Sequence, residues 1–313
     1  MLSQLRLSAK SGIRLLSTAS PPAALVKELR VLSGSAPLLA CRNALSETSV
    51  EGTFDVTLAL KHLRSTQTSK TKSKTSGRVM SEGAITFTKS GFGGASGLAL
   101  TCETDFAAKS ETFVNFSIDL LGNLKEKVEK ADGFKNLELH TGNEIIDNDA
   151  HLKKIWDEAL LGVRENMSVR AAFSVTGDSY FCSYVHNKLG GDESSDVGKV
   201  GAVVELKGSV DAEKLEEVGK KLAMHVVAAS PKYLSIDDIP EEVMEEEKSI
   251  LAKQLEDDKK PADIKEKIMK GKLNKWASQI CLLEQEHVAD ADGGAVKKVL
   301  KREKISCEGF VLL

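Results

Sequence analysis

Apolar side chains recur at Leu25, Val26, Leu29 and Leu32, and Ser33-Gly34-Ser35 then breaks the run. That spacing puts the four on one helix face. Pro37 opens a second helix over Leu38 to Leu45, because a first-turn proline forfeits only an N–H that lacks an intrahelical partner. Phe54, Leu58, Ala59 and Leu63 mark a third, from about Thr53 to Arg64. Residues 23–64 therefore read as a three-helix module. Residues 65–77 hold no apolar side chain and are mostly Ser, Thr and Lys, the composition of a solvated linker, which we place at 65–81. From Gly83 the period changes to two: Ala84 to Thr88 alternates, Gly91 to Gly94 turns and Gly97 to Thr101 returns, a hairpin. Helical spans follow at about 106–130 and 150–163. Ser168 to Val175, Tyr180 to His186 and Val200 to Leu206 read as strands, separated by Thr176-Gly177-Asp178 and a glycine-rich loop at 189–198. Lys214 to Ala229 is an amphipathic helix. Pro240 to Leu255 and Pro261 to Lys275 form a charged helical hairpin at 240–275, and the chain ends in a helix at Ala295 to Leu300 and a strand at Ile305 to Leu313. Strands in runs, interleaved with helices and joined by tight turns, predict an α+β fold rather than a doubly wound parallel sheet.

Composition adjusts this picture in three places. The chain has 313 residues, 41% hydrophobic but only 5% aromatic, so its cores must be aliphatic. Basic and acidic side chains nearly balance, 43 against 46, which gives no reason to expect direct nucleic-acid or membrane binding. No stretch approaches the roughly 20 apolar residues that span a bilayer. Residues 1–27 contain no Asp or Glu, whereas Arg6, Lys10 and Arg14 alternate with leucines and serines. Residues 1–20 thus have the Arg-rich, Ser-rich, acid-poor character of an organellar transit peptide, and Lys10 and Arg14 interrupt the apolar stretch that a secretory signal needs. Cys41, Cys102, Cys182, Cys281 and Cys307 lie far apart with no C-x-x-C pair, and the histidines are equally dispersed, so we expect no metal site.

The segment with the most specific chemistry is Thr101-Cys102-Glu103-Thr104-Asp105-Phe106-Ala107-Ala108-Lys109-Ser110. It joins a strand to a helix and carries an acid beside a large aromatic. Two readings are open from the residues alone. In one, Thr104 or Asp105 caps the helix and Phe106 staples its first turn to the core; in the other, Asp105 and Phe106 face a partner. The glycines at 91, 93, 94 and 97 do not make a nucleotide loop: counting from Gly91, the sixth position is Ser96, strand follows, and no G-K-[ST] closes the run. No Ser/His/Asp, Cys/His or metal constellation is visible, which argues against an enzyme.

These pieces occur in a known order. Leu25-Val26-Lys27-Glu28-Leu29-Arg30, Ser33-Gly34, Cys41-Arg42-Asn43-Ala44-Leu45, Gly77-Arg78, Glu82-Gly83, Thr104-Asp105-Phe106-Ala107-Ala108-Lys109, Glu165-Asn166-Met167-Ser168-Val169-Arg170, Ser183-Tyr184-Val185-His186 and Ala223-Met224-His225-Val226-Val227-Ala228-Ala229-Ser230-Pro231 make the chain resemble the translation elongation factor Ts family, in its mitochondrial form. It departs from the family pattern at Ser33, at Ala107 where valine is usual, and at Arg164 where glycine is common. The resemblance implies a ubiquitin-associated-like (UBA-like) N-terminal module and two α+β subdomains with small antiparallel sheets, at 82–188 and 189–313, the latter with the hairpin. It also implies a non-catalytic guanine-nucleotide exchange factor, free of cofactors, located in the mitochondrial matrix, whose partner is mitochondrial elongation factor Tu. The partner-binding residues carried over are Thr104, Asp105, Phe106, Val163, Asn166 and His186 on the core, with Arg30, Leu38 and Leu39 on the small module. An adaptor that binds ubiquitin or a peptide through the N-terminal module is the alternative.

Overall fold

The computed structural model describes residues 20–33, 36–50, 52–63, 66, 80–135, 137–256, 262–289 and 293–313. Nearly all of the expected transit peptide, most of the expected linker and the tip of the 240–275 hairpin lie outside these residues. The chain divides into two compact units: residues 1–77 with Asp157–Arg164, and residues 78–156 with Glu165–Leu313.

The first unit holds helices α1 (Ala23–Leu32), α2 (Leu38–Glu47) and α3 (56–63). Val26 and Leu29 of α1 pack with Cys41, Ala44 and Leu45 of α2 and with Ala59 and Leu63 of α3. The third helix starts later than its periodicity predicts. The Asp55 carboxylate accepts the Thr57 and Leu58 N–H groups at 2.7 and 3.1 Å, which places the cap at Asp55. So small a core leaves apolar surface outside it, and Val31, Leu32, Leu38, Leu39 and Leu58 are exposed.

The second unit is built on strands β1 (Glu82–Thr88), β2 (Gly91–Cys102), β3 (Lys130–Asp132), β4 (Met167–Gly191), β5 (Ser195–Gly208) and β6 (Ile305–Leu312). Its other helices are α4 (Asp105–Ala108), α5 (Glu111–Leu124), α6 (Glu144–Asn148), α8 (Ala212–Ala229), α9 (Glu241–Glu256), α10 (Ala262–Ile280) and α11 (Val296–Glu303), and α7 (Ala150–Val163) precedes β4. This is the α+β class predicted from the interleaved runs. All six strands share one sheet, in the order β3-β4-β2-β1-β5-β6, and β4 also pairs with β5. The pairing of β1, β2, β4 and β5 therefore closes into a ring. Only β3 runs parallel to its neighbour, β4.

The long strands replace three predicted interruptions. Gly91 to Gly94, read as the hairpin turn, lies inside β2, where Gly91 pairs with Phe181 and Gly94 with Thr176, and the bend falls at residues 89–90. Thr176-Gly177-Asp178 was expected to separate strands, but β4 runs through it. Gly93 pairs with Gly177 and Phe92 with Tyr180, so Asp178 and Ser179 are accommodated as a bulge while β2 holds both sides. The expected glycine-rich loop at 189–198 is likewise mostly strand, because Gly190 and Gly191 pair with Val197 and Asp196. The helical span predicted at 106–130 is broken at Ser110. Its hydroxyl accepts the Phe113 N–H at 3.2 Å and starts a new helix, which ends before β3.

One face of the ring buries Ile85, Phe87, Phe134, Phe173, Phe181, Val203 and Val311. On the other, Cys182, Val204 and Leu206 pack against Leu215, Leu222 and Val226 of α8 and Leu300 of α11. All five cysteines are buried and free, and burial pushes the Cys182 and Cys307 thiols up to about 12. They pack as small apolar groups, with little of the thiolate that cysteine chemistry requires.

Candidate functional site

The end of β2 and the start of α4 form the corner singled out in the sequence. Thr104 is extended (φ −127°, ψ 153°), and its hydroxyl accepts the Ala107 N–H at 3.2 Å, so Thr104 is the helix cap. The same hydroxyl donates to Glu165 Oε1 at 2.6 Å, and the Thr104 N–H donates to Glu165 Oε2 at 2.9 Å. In return the Asn166 N–H donates to Glu103 Oε1 at 3.1 Å. Each of the two adjoining turns thus lends a carboxylate to the other's backbone. The Cys102 thiol adds a bond to the Thr104 carbonyl at 3.3 Å.

Asp105 begins α4 and pairs with Lys109 one turn on, at 2.8 Å. The Lys109 hydrogen bond and charge hold the Asp105 carboxyl below its ordinary range, so it is an anion at neutral pH. Lys199 lies close enough to add to that effect while it bonds Glu82 at 3.0 Å and the Gly83 carbonyl at 3.1 Å. Phe106 is 82% exposed. It staples nothing to the core: the backbone of α4, and not packing of its own ring, sets where the ring points. Other large apolar side chains, Phe92 among them, are exposed too, so exposure alone assigns Phe106 no role; what sets it apart is its place on a corner braced from both sides.

The turn before Glu165 keeps the conformation a glycine would supply. Arg164 has φ 62°, in the left-handed region, where a non-glycine residue costs about 1–2 kcal/mol. Asn166 follows, half-buried, so Thr104, Asp105, Phe106 and Asn166 meet at one place. The other predicted residues lie each in its own unit. His186 is exposed in the second half of β4 opposite Val200, with its Nδ1 3.2 Å from the Tyr184 hydroxyl. Val163 is half-buried at the end of α7, and Arg30, Leu38 and Leu39 are exposed in the first unit. Sequence reasoning missed Glu165, Glu103 and Lys109 as site residues. The Asp105/Lys109 spacing was visible as an i,i+4 pair, whereas nothing local in the sequence links Glu165 to Thr104.

Among the described residues no group of three or more His, Cys, Asp or Glu side chains is placed to hold a metal ion, and no helix is long and apolar enough to cross a membrane. The corner has an ion pair, a cap and an exposed ring, which suit recognition and offer no nucleophile with a base beside it.

Comparison with known proteins points the same way. Residues 103–313 match the family model described as elongation factor TS. Elongation factor Ts of Pseudoalteromonas atlantica is 34% identical over 289 residues, covering 92% of this chain and 89% of the relative. That of Halothermothrix orenii is 32% identical over 286 residues, covering 91% and 89%, and that of Magnetococcus marinus 33% over 274 residues, covering 86% and 82%. With the family model matched over more than half the chain, and relatives of this identity aligned over nearly all of both sequences, the chain belongs to the elongation factor Ts family.

Proposed function

We propose that this protein is a guanine-nucleotide exchange factor that binds mitochondrial elongation factor Tu in its GDP form and promotes GDP release, in support of mitochondrial translation elongation. It is not an enzyme in the strict sense, because it changes an affinity and transforms no substrate. Exchange requires the factor to bind the nucleotide-free GTPase more tightly than the GDP-bound one. By linkage the factor then weakens GDP by the same ratio that GDP weakens the factor. A thousandfold effect needs about 4 kcal/mol of differential binding.

The exposed Phe106 on its braced corner is the observation that carries this reading. Fully burying a phenylalanine contributes about 1.5–3 kcal/mol, a large share of that requirement. Phe106 enters the GTPase beside its Mg²⁺ and phosphate site, and the Asp105 carboxylate perturbs the surroundings of the ion. Asn166, Val163 and His186 extend the contact, and the exposed Leu38 and Leu39, with Arg30, dock the UBA-like first unit on the nucleotide domain.

Release of labelled GDP from mitochondrial elongation factor Tu tests the proposal. The protein is expected to raise the rate by at least about tenfold at saturation. An unchanged rate would overturn it, and capture of ubiquitin in place of the GTPase would favour the adaptor reading. The mitochondrial setting rests on the acid-poor, Arg- and Ser-rich residues 1–20. Incubated with isolated mitochondria, the full chain is expected to become protease-protected and shorter. A product that stays full-length and protease-sensitive would sink the targeting reading.

A further inference from the structure

We infer that Glu165 is a positioning residue for Phe106, acting through Thr104, so that the turn after α7 sets the aim of the exchange corner. The inference rests on the exchange reading given above for Phe106. Its physical basis is the geometry of one carboxylate. Glu165 takes the Thr104 N–H on one oxygen at 2.9 Å and the Thr104 hydroxyl on the other at 2.6 Å. With its proton committed to Glu165, the hydroxyl has a lone pair free for the Ala107 N–H. The carboxylate thereby fixes the rotamer of the cap as well as the backbone entering α4.

Phe106 is two residues past that grip and its ring is almost wholly in solvent, so the ring's own packing does not set its direction, which passes to the backbone of α4. α4 has four residues, too few to hold a direction by its own hydrogen bonds. It is steadied from behind by the buried Ala108, by the Asp105–Lys109 pair at 2.8 Å and by the Ser110 hydroxyl, which donates to the Ala107 carbonyl at 2.7 Å. From in front there is Glu165, helped by the Glu103 carboxylate on the Asn166 N–H at 3.1 Å. Residues separated by sixty positions in sequence are thus made into one rigid part. A wedge held in its bound direction before contact avoids the ordering cost at contact, which is where preorganisation raises affinity.

The test uses the full chain with Glu165→Gln and Glu165→Ala, each alone and combined with Phe106→Ala. Gln keeps the shape and one oxygen acceptor, so it guards against loss of the fold. We expect Glu165→Ala to lower exchange efficiency about tenfold and Glu165→Gln to lower it less. In the Phe106→Ala background either change should add less than about twofold, because a positioning residue has nothing left to position. An equal factor in both backgrounds would overturn the inference, since Glu165 would then act by direct contact or through general stability. Hydrogen–deuterium exchange over residues 104–108, read without the GTPase, separates the two layers. Faster exchange in Glu165→Gln supports the brace even if Phe106→Ala leaves GDP release unchanged, in which case the exchange reading alone fails. Unchanged protection of 104–108 overturns the brace whatever the rates.

Discussion

Replacing Phe106 with Ala is expected to lower the efficiency of GDP release by roughly 10- to 100-fold, with the melting temperature moving by no more than about 2 °C. The first figure comes from the burial of one phenylalanine, about 1.5–3 kcal/mol, read at 1.4 kcal/mol per factor of ten. The second follows from exposure. The ring is 82% accessible, and a surface substitution away from caps and cores changes stability by about 0.5 kcal/mol or less, which for a unit of this size is a shift of about 1–2 °C. The cap stays, because Thr104 and its bond to the Ala107 N–H do not involve the Phe106 side chain. Stopped-flow release of a fluorescent GDP analogue and a thermal melt, run on the same preparations, give both numbers. If the melt falls sharply, Phe106 belongs to the core after all; if release is unaffected, the wedge is elsewhere.

Gly97→Ala is expected to have the opposite profile: lower stability, with exchange retained at temperatures where the protein remains folded. Gly97 sits in β2 with Phe87 of β1 on one side and Phe173 of β4 on the other, each its direct cross-strand partner. The two rings lean together over it, 6.1 Å between centroids. An added Cβ would stand 2.3 Å from Phe173 Cε1 and 2.7 Å from Phe87 Cδ1 and Cε1. Both phenylalanines are fully buried, so neither ring can swing into solvent, and the strands would have to move. Overpacking of this kind costs about 1–3 kcal/mol, which lowers the melting temperature by roughly 2–10 °C. A wild-type melt would mean that the rings do not close over Gly97. The spacing of this glycine does not fit a phosphate loop, and its purpose is packing: it makes room for the two rings.

Much of the second unit was legible because its signals are local. The helices read at 150–163 and 214–229 match α7 and α8, and the strands read at 84–88 and 305–313 match β1 and β6, although the turn between β1 and β2 lies before Gly91 and not at Gly91 to Gly94. The corner was legible for a similar reason: Thr104, Asp105 and Phe106 are adjacent, and a cap beside an acid and an aromatic is conspicuous. What escaped were features whose cause lies far away in sequence. Thr176-Gly177-Asp178 has turn chemistry and would turn in isolation, but β2 pairs with β4 on both sides of it, and a bulge satisfies more backbone than a turn would. Ser110 has the chemistry of a cap, yet the apolar period runs on past it and hides the break. Glu165 has no local signal that sets it above its neighbour Asn166, since only the folded chain brings its carboxylate to the Thr104 backbone.

The strand ring also bears on how the protein is made. The β1–β2 hairpin is local and has its pairing as soon as residue 102 exists, but the outer edge of β1 is met only by residues 195–198. β6, which pairs with β5, lies a further hundred or so residues on, at Ile305–Leu312. Closing contacts so distant is slow, because chain entropy is lost before the pairing is gained. Until β5 arrives, the nascent chain carries an open, apolar sheet edge of the kind that recruits other chains. A product truncated before residue 195 is therefore an unfinished sheet, a substrate for chaperones and proteases and not a shorter exchange factor.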